Sequence, residues 1–148
     1  MRQTLATHIR PESYLLHADM WRFPTRAKVI NFGLGESNLL NVAGGLASTR
    51  KTVYIYGVCG FIIHRYEQLK FSCRDFGSVN GKIILCNAGR HGYQHFGTGH
   101  TLDDDLGLMG LLGIDCYKPS TVVDMLCYLE RIEHTKNGIY YIQLGKDV

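Results

Sequence analysis

The 148-residue sequence predicts an α/β domain, a mainly parallel sheet between two helical layers, in a three-layer sandwich. Three observations carry this. Short runs rich in β-branched and aromatic residues alternate with stretches of helical period, about five times along the chain. No internal repeat or low-complexity linker divides residues 1–148, which are expected to form a single domain. Hydrophobic residues make up 45% and charged residues 20%, enough for one full core and too little charge for wholesale disorder.

The elements follow in order. Residues 13–17 (SYLLH) and 28–32 (KVINF) are the first two expected strands. Residues 36–48 read as a helix with Leu39, Leu40, Val42, Ala43 and Leu46 turned inward. Residues 52–56 (TVYIY) are a third strand. Residues 61–73 are expected as one helix. Three-and-four spacing there puts Phe61, His64, Arg65 and Gln68 on one side, while a plain amphipathic helix would bury Ile62, Ile63 and Tyr66. Residues 82–86 (KIILC) form a strand, and 103–112 a helix with Asp103, Asp104 and Asp105 at the favourable end of its dipole. A strand at 114–117 closes before Pro119, and Ser120 is the expected cap of a helix carrying Val122, Val123, Met125, Leu126, Leu129 and Ile132. Gly138 releases the chain into a last strand, 139–144 (IYYIQL). Parallel sheets collect ligands at the carboxyl ends of their strands, so the loops after Asp19, Phe32, Tyr56 and Cys86 are the places to look.

Composition narrows the function. The net charge of +3 comes from scattered residues with no basic stripe, which argues against nucleic acid as a partner. The five cysteines are odd in number and form no CxxC, so neither a disulfide framework nor a zinc knuckle is indicated; Cys86 and Cys116 read as small core residues. No apolar stretch approaches the ~20 residues of a membrane span, and residues 1–10 lack a signal-peptide run. A reducing cytoplasm is the expected location.

Three constellations could carry chemistry. The first is Gly33-Leu34-Gly35-Glu36-Ser37-Asn38, between a strand and a helix. Glu36 there is either a helix-start carboxylate satisfying the dipole or a carboxyl aimed from a strand end into a ligand cleft. The GxGxxG dinucleotide pattern is incomplete. The second is 61–68 (FIIHRYEQ). The third is the glycine- and histidine-rich loop 88–101 (AGRHGYQHFGTGHT), whose His91, His95 and His100 are spaced by four and five. Glycines oppose the helical register that a metal site would need, and no Cys or Glu completes a ligand set. Acid–base work or donation to a substrate oxygen suits these histidines better.

In this order the constellations resemble the pyrimidine-binding domain of the transketolase family of thiamine diphosphate enzymes. That family shows a strand ending in Ala-Asp; a strand followed by Gly-Ile-Gly-Glu-x-Asn and a small-residue helix; a strand, then Phe and a helix with Tyr-(Asp/Glu)-Gln; and a strand, then Ala-Gly, a glycine-rich loop and a histidine before an acidic helix start. The sequence supplies Ala18-Asp19, GLGESN running into Val42-Ala43-Gly44-Gly45-Leu46-Ala47, Gly60-Phe61 with Tyr66-Glu67-Gln68, and Ala88-Gly89 with His100 before Asp103-Asp104-Asp105. The match runs from about Tyr14 to Lys146.

The resemblance implies a thiamine diphosphate-binding fold and a set of roles. Glu36 is implied to hydrogen-bond N1′ of the cofactor's aminopyrimidine, and Phe61 to pack on that ring, with Gly35 and Tyr56 also at the cofactor. His100 and His64 are implied on the catalytic side, and Asp19, His95 and Gln94 toward the substrate. No metal ligand falls in this chain. The diphosphate-binding domain with its Gly-Asp-Gly, which holds the diphosphate and Mg2+, is not in these residues, nor is the family's C-terminal domain. The resemblance therefore implies a second polypeptide, a heterotetramer or self-dimer, and ketol or acyl transfer between sugar or keto substrates. The alternatives are a non-catalytic or regulatory subunit, or a 2-oxo acid decarboxylase or dehydrogenase type. Two departures stand out: Leu108-Met109-Gly110-Leu111 lacks the family's helix arginine, and the segment between Asp19 and Val29 is short.

Overall fold

The computed structural model describes residues 1–88, 96–100 and 104–144. Strands β1 (Tyr14–His17), β2 (Lys28–Asn31), β3 (Thr52–Val58), β4 (Lys82–Ala88), β5 (Asp115–Tyr117) and β6 (Gly138–Leu144) form one sheet in the order β2-β1-β3-β4-β6-β5. Every pairing is parallel. The central strands β3, β4 and β6 align over their whole length, from Thr52 beside Lys82 and Gly138 to Val58 beside Ala88 and Leu144. Burial on both faces is why they read as nearly unbroken apolar runs.

Side chains alternate between two cores. Val53 and Ile55 point to a face covered by α2 (Glu36–Ser48), α3 (Cys59–Ile63), a π-helical segment (Leu69–Phe76) and α5 (Asp105–Leu111). Tyr54 and Tyr56 point to the other face, under α1 (Arg2–His8) and α6 (Val122–Glu133). Connection handedness explains this division. The steps β2 to β3, β3 to β4 and β4 to β5 move one way across the sheet and carry their helices on the first face. The steps β1 to β2 and β5 to β6 move the opposite way, and their connections, with Trp21 and α6, lie on the second. Right-handed crossovers require that reversal of face.

The structure corrects the expected elements in four places. Residues 61–73 are not one helix. After α3 the chain turns at His64 and Arg65, makes one helical turn, α4 (Tyr66–Gln68), and then widens into the π-helical segment. The break lets Leu69 and Cys73 dock on α2, where the Cys73 thiol lies 3.3 Å from the Leu40 carbonyl oxygen. Tyr66 is left exposed. Second, Ser120 does not cap α6. Thr121 does, in a capping box: its hydroxyl accepts from the Asp124 N–H at 3.1 Å, and the Asp124 carboxylate accepts from the Thr121 N–H at 3.0 Å. Third, the 103–112 helix begins at Asp105, with the Asp104 side chain accepting from the Gly107 N–H at 2.8 Å; Asp103 lies outside the described residues. Fourth, α1 was not expected, and it packs Leu5 and Ala6, with Ile9 beyond its end, into the second core. Among the described residues no helix is long and apolar enough to cross a membrane.

Candidate functional site

The carboxyl edge of the sheet gathers the candidate residues. At the exit of β2, Gly33 takes a left-handed φ of 59° and the Gly35 N–H donates to the Phe32 carbonyl at 3.1 Å. A Cβ on Gly35 would sit 3.0 Å from that carbonyl oxygen, a tight contact that a side chain could make only if the turn gave by a few tenths of an ångström. The turn delivers Glu36 as the first residue of α2, on the first face. Glu36 is 7% exposed, and among the described residues its carboxyl has no hydrogen-bond or ion-pair partner. Its oxygens still reach the surface, so the carboxyl is open to solvent or to a ligand at this edge.

Asn31 ties this turn to the exit of β1. Its Oδ1 accepts from the Asp19 N–H at 3.0 Å and the Gly33 N–H at 2.9 Å, and its Nδ2 donates to Asp19 Oδ1 at 3.1 Å. Asp19, exposed and at φ 54°, is thereby held at the rim. Beneath it, the buried His17 accepts at Nδ1 from the Met20 and Trp21 N–H groups, both at 3.2 Å. An Nδ1 that accepts twice carries no proton. Burial lowers the His17 pKa against a smaller upward pull from Asp19, so the ring is neutral at pH 7.

At the exit of β3, α3 presents a half-buried Phe61. The His100 ring packs edge-on against it, centroids 4.9 Å apart, and Phe96 lies 5.3 Å from His100. The structure thus brings together Phe61 and His100, residues far apart in sequence. His64 lies exposed in the turn that ends α3. Tyr56 does not share this surface. Its side chain points to the second face, 2% exposed, with the Trp21 ring edge-on at 5.0 Å. Strand alternation places it beneath the edge rather than in the site. His91, Gln94 and His95 lie outside the described residues.

A buried polar cluster, missed in the sequence, underlies the same edge. The Asp105 carboxylate, 2% exposed, accepts from the Tyr141 hydroxyl and, at 2.7 Å to each oxygen, from Gln143 Nε2. Asn87, abreast of Gln143, donates from Nδ2 to the Gly57 carbonyl at 3.1 Å, while its Oδ1 has no partner among the described residues. Burial pushes the neighbouring Cys59 thiol up to about 12, so it stays protonated and is no nucleophile at neutral pH. The available signal was polar residues, Asn87 and Gln143, at the ends of otherwise apolar strands. Among the described residues no group of three or more His, Cys, Asp or Glu could hold a metal ion.

A carboxyl without a partner among the described residues, an aromatic face with an imidazole against it and a rim carboxylate all lie at the carboxyl edge of a parallel sheet, the edge where such sheets collect small organic ligands. No family model and no curated protein matches the chain. A solved structure does: a split-gene transketolase in an inactive β4 tetramer, with a TM-score of 0.74 and 23% identity, over 98% of this chain and 49% of that one. The chain shares the fold of the matched part of that transketolase chain and spans about half its length.

Proposed function

We propose that this chain is the pyrimidine-binding subunit of a split, transketolase-like thiamine diphosphate enzyme, active only with a partner polypeptide. The observation that carries the reading is Glu36: a buried carboxyl with no partner among the described residues, opening α2 at the carboxyl edge of a transketolase-type fold. Thiamine diphosphate, when bound, supplies the carbanion chemistry.

The chain's own residues supply position and proton traffic. Glu36 would share a proton between its carboxyl and N1′ of the aminopyrimidine, in a site that the ligand and the partner close off from water. Phe61 offers its face to the planar ring, and Gly35, lacking a Cβ, lets the ligand approach the backbone. His100, packed on Phe61, is positioned to exchange a proton with a substrate oxygen. Asp19 at the rim accepts hydrogen bonds from a polyol substrate. His64, His95 and Gln94 are proposed on the substrate side of the same cleft.

The partner carries the diphosphate and Mg2+ site. Leu34, 89% exposed in the turn before Glu36, and Phe96, 58% exposed beside His100, are apolar residues at the rim that such a partner would cover. The matching structure is an inactive assembly of β chains, and copies of this chain alone are likewise expected to be inactive. The missing arginine in 108–111 is the observation that favours a second reading, a non-catalytic subunit. Substituting Glu36→Gln in the assembled complex separates the two. The catalytic reading expects turnover to fall by a factor of about 100 or more; unchanged turnover supports the non-catalytic one.

A further inference from the structure

At the opposite, amino edge of the sheet lies a cleft of about 270 Å³ that the proposed reaction does not use. Ser13, Thr52, Lys82 and Ile84 line it from the starts of β1, β3 and β4, with Arg10, Arg50 and the end of α6 around them. Much of its charge is already matched. Arg10 is bonded to Glu133 through Nε at 3.1 Å and through a guanidinium nitrogen. Lys82 Nζ donates to the Ile132 and Glu133 carbonyls at 3.3 and 3.0 Å, closing the carboxyl end of α6.

Three groups remain uncommitted. The Lys82 ammonium has a third N–H beyond the two it uses. Arg50, held at φ 65° just past the end of α2 where helices usually place glycine, forms no ion pair among the described residues. The Tyr54 hydroxyl, on a residue 3% exposed, has no hydrogen-bond partner among the described residues. Its oxygen is not enclosed, and it faces the cleft free to donate. Burial pushes its pKa up, so it remains a neutral donor. Ile84 and Ile132 give the cleft an apolar floor. Against these donors stands a single unpaired acid, Glu12.

We infer that this cleft binds a small oxyanion-bearing metabolite, a phosphate ester or a polycarboxylate, held by Arg50, Lys82 and the Tyr54 hydroxyl. Its volume lies just below the usual range for ligand pockets, which suits a compact molecule. A ligand there touches no residue of the carboxyl-edge site, so it acts as an effector or stabiliser, and the inference stands independently of the thiamine reading.

The test is calorimetric titration of the full chain with inorganic phosphate and with citrate at constant ionic strength, and with glycerol as an uncharged control. Saturable binding of at least one anion and none of glycerol is expected. Arg50→Gln should weaken that binding by about fivefold or more, Tyr54→Phe should weaken it, and Glu12→Gln should tighten it. Arg50 and Glu12 are exposed, so those variants should fold normally. Absence of saturable binding by both anions, or binding unchanged in Arg50→Gln and Glu12→Gln alike, overturns the inference.

Discussion

Single side chains at the carboxyl edge act by satisfying backbone groups of the loops there. His17 is the clearest, because one ring nitrogen satisfies two backbone N–H groups under the Asp19 loop. His17→Ala should cost about 1–3 kcal/mol by leaving both without an acceptor, whereas His17→Asn, whose amide oxygen can take the Nδ1 position, should keep most of the stability. The His17 pKa is lowered in the fold, so its contribution is complete above the unfolded value of about 6.5 and is lost as pH falls through the folded value. Urea unfolding of wild type and His17→Asn at pH 7.5 and pH 5 checks the sign: wild type should lose more than the variant. The positions of Asp19, Glu36, Phe61 and His100 beyond strand ends were legible in the sequence, because each follows a strand in a motif of recognisable order. Asn31 was not, because its bonds to Asp19 form only once β1 and β2 lie side by side, and nor was His17, whose bonds depend on how the chain folds back after β1.

Helices and strands show where local rules sufficed. The capping box of α6 is local in sequence, yet the cap is Thr121 and not the expected Ser120. Thr121→Ala should lower stability by about 1 kcal/mol and Ser120→Ala should leave it unchanged, measured by thermal unfolding. The first turn of α5 is different. Asp105 read as one of three dipole-satisfying acids, yet it is buried between partners 36 and 38 residues away. Asp105→Ala strands the Tyr141 hydroxyl and the Gln143 amide, and should cost about 3 kcal/mol in urea unfolding. The segment after β3 was legible as helical but not as broken, because the break answers to the packing of Leu69 and Cys73 on α2, which periodicity cannot show.

At the scale of the whole molecule, the α/β alternation predicted the layers, and the division of the helices between the two faces follows from handedness and the directions of the crossovers. The sequence could not show which apolar residues stay outside. Leu34 at 89% exposure and Leu111 at 86% bury nothing within the chain. Leu34→Asp should therefore change the stability of the isolated chain by no more than about 0.5 kcal/mol while weakening its association with a partner, as read by size-exclusion chromatography with light scattering.

The central claim is that a cofactor is clamped between this chain and another. Calorimetric titration of thiamine diphosphate with Mg2+, into this chain alone and into its mixture with a protein carrying the diphosphate-binding domain, tests it most directly. Tight binding in the mixture and none to the chain alone is the result expected. Equal binding with and without the second protein, or no binding to a complex that demonstrably forms, would contradict it.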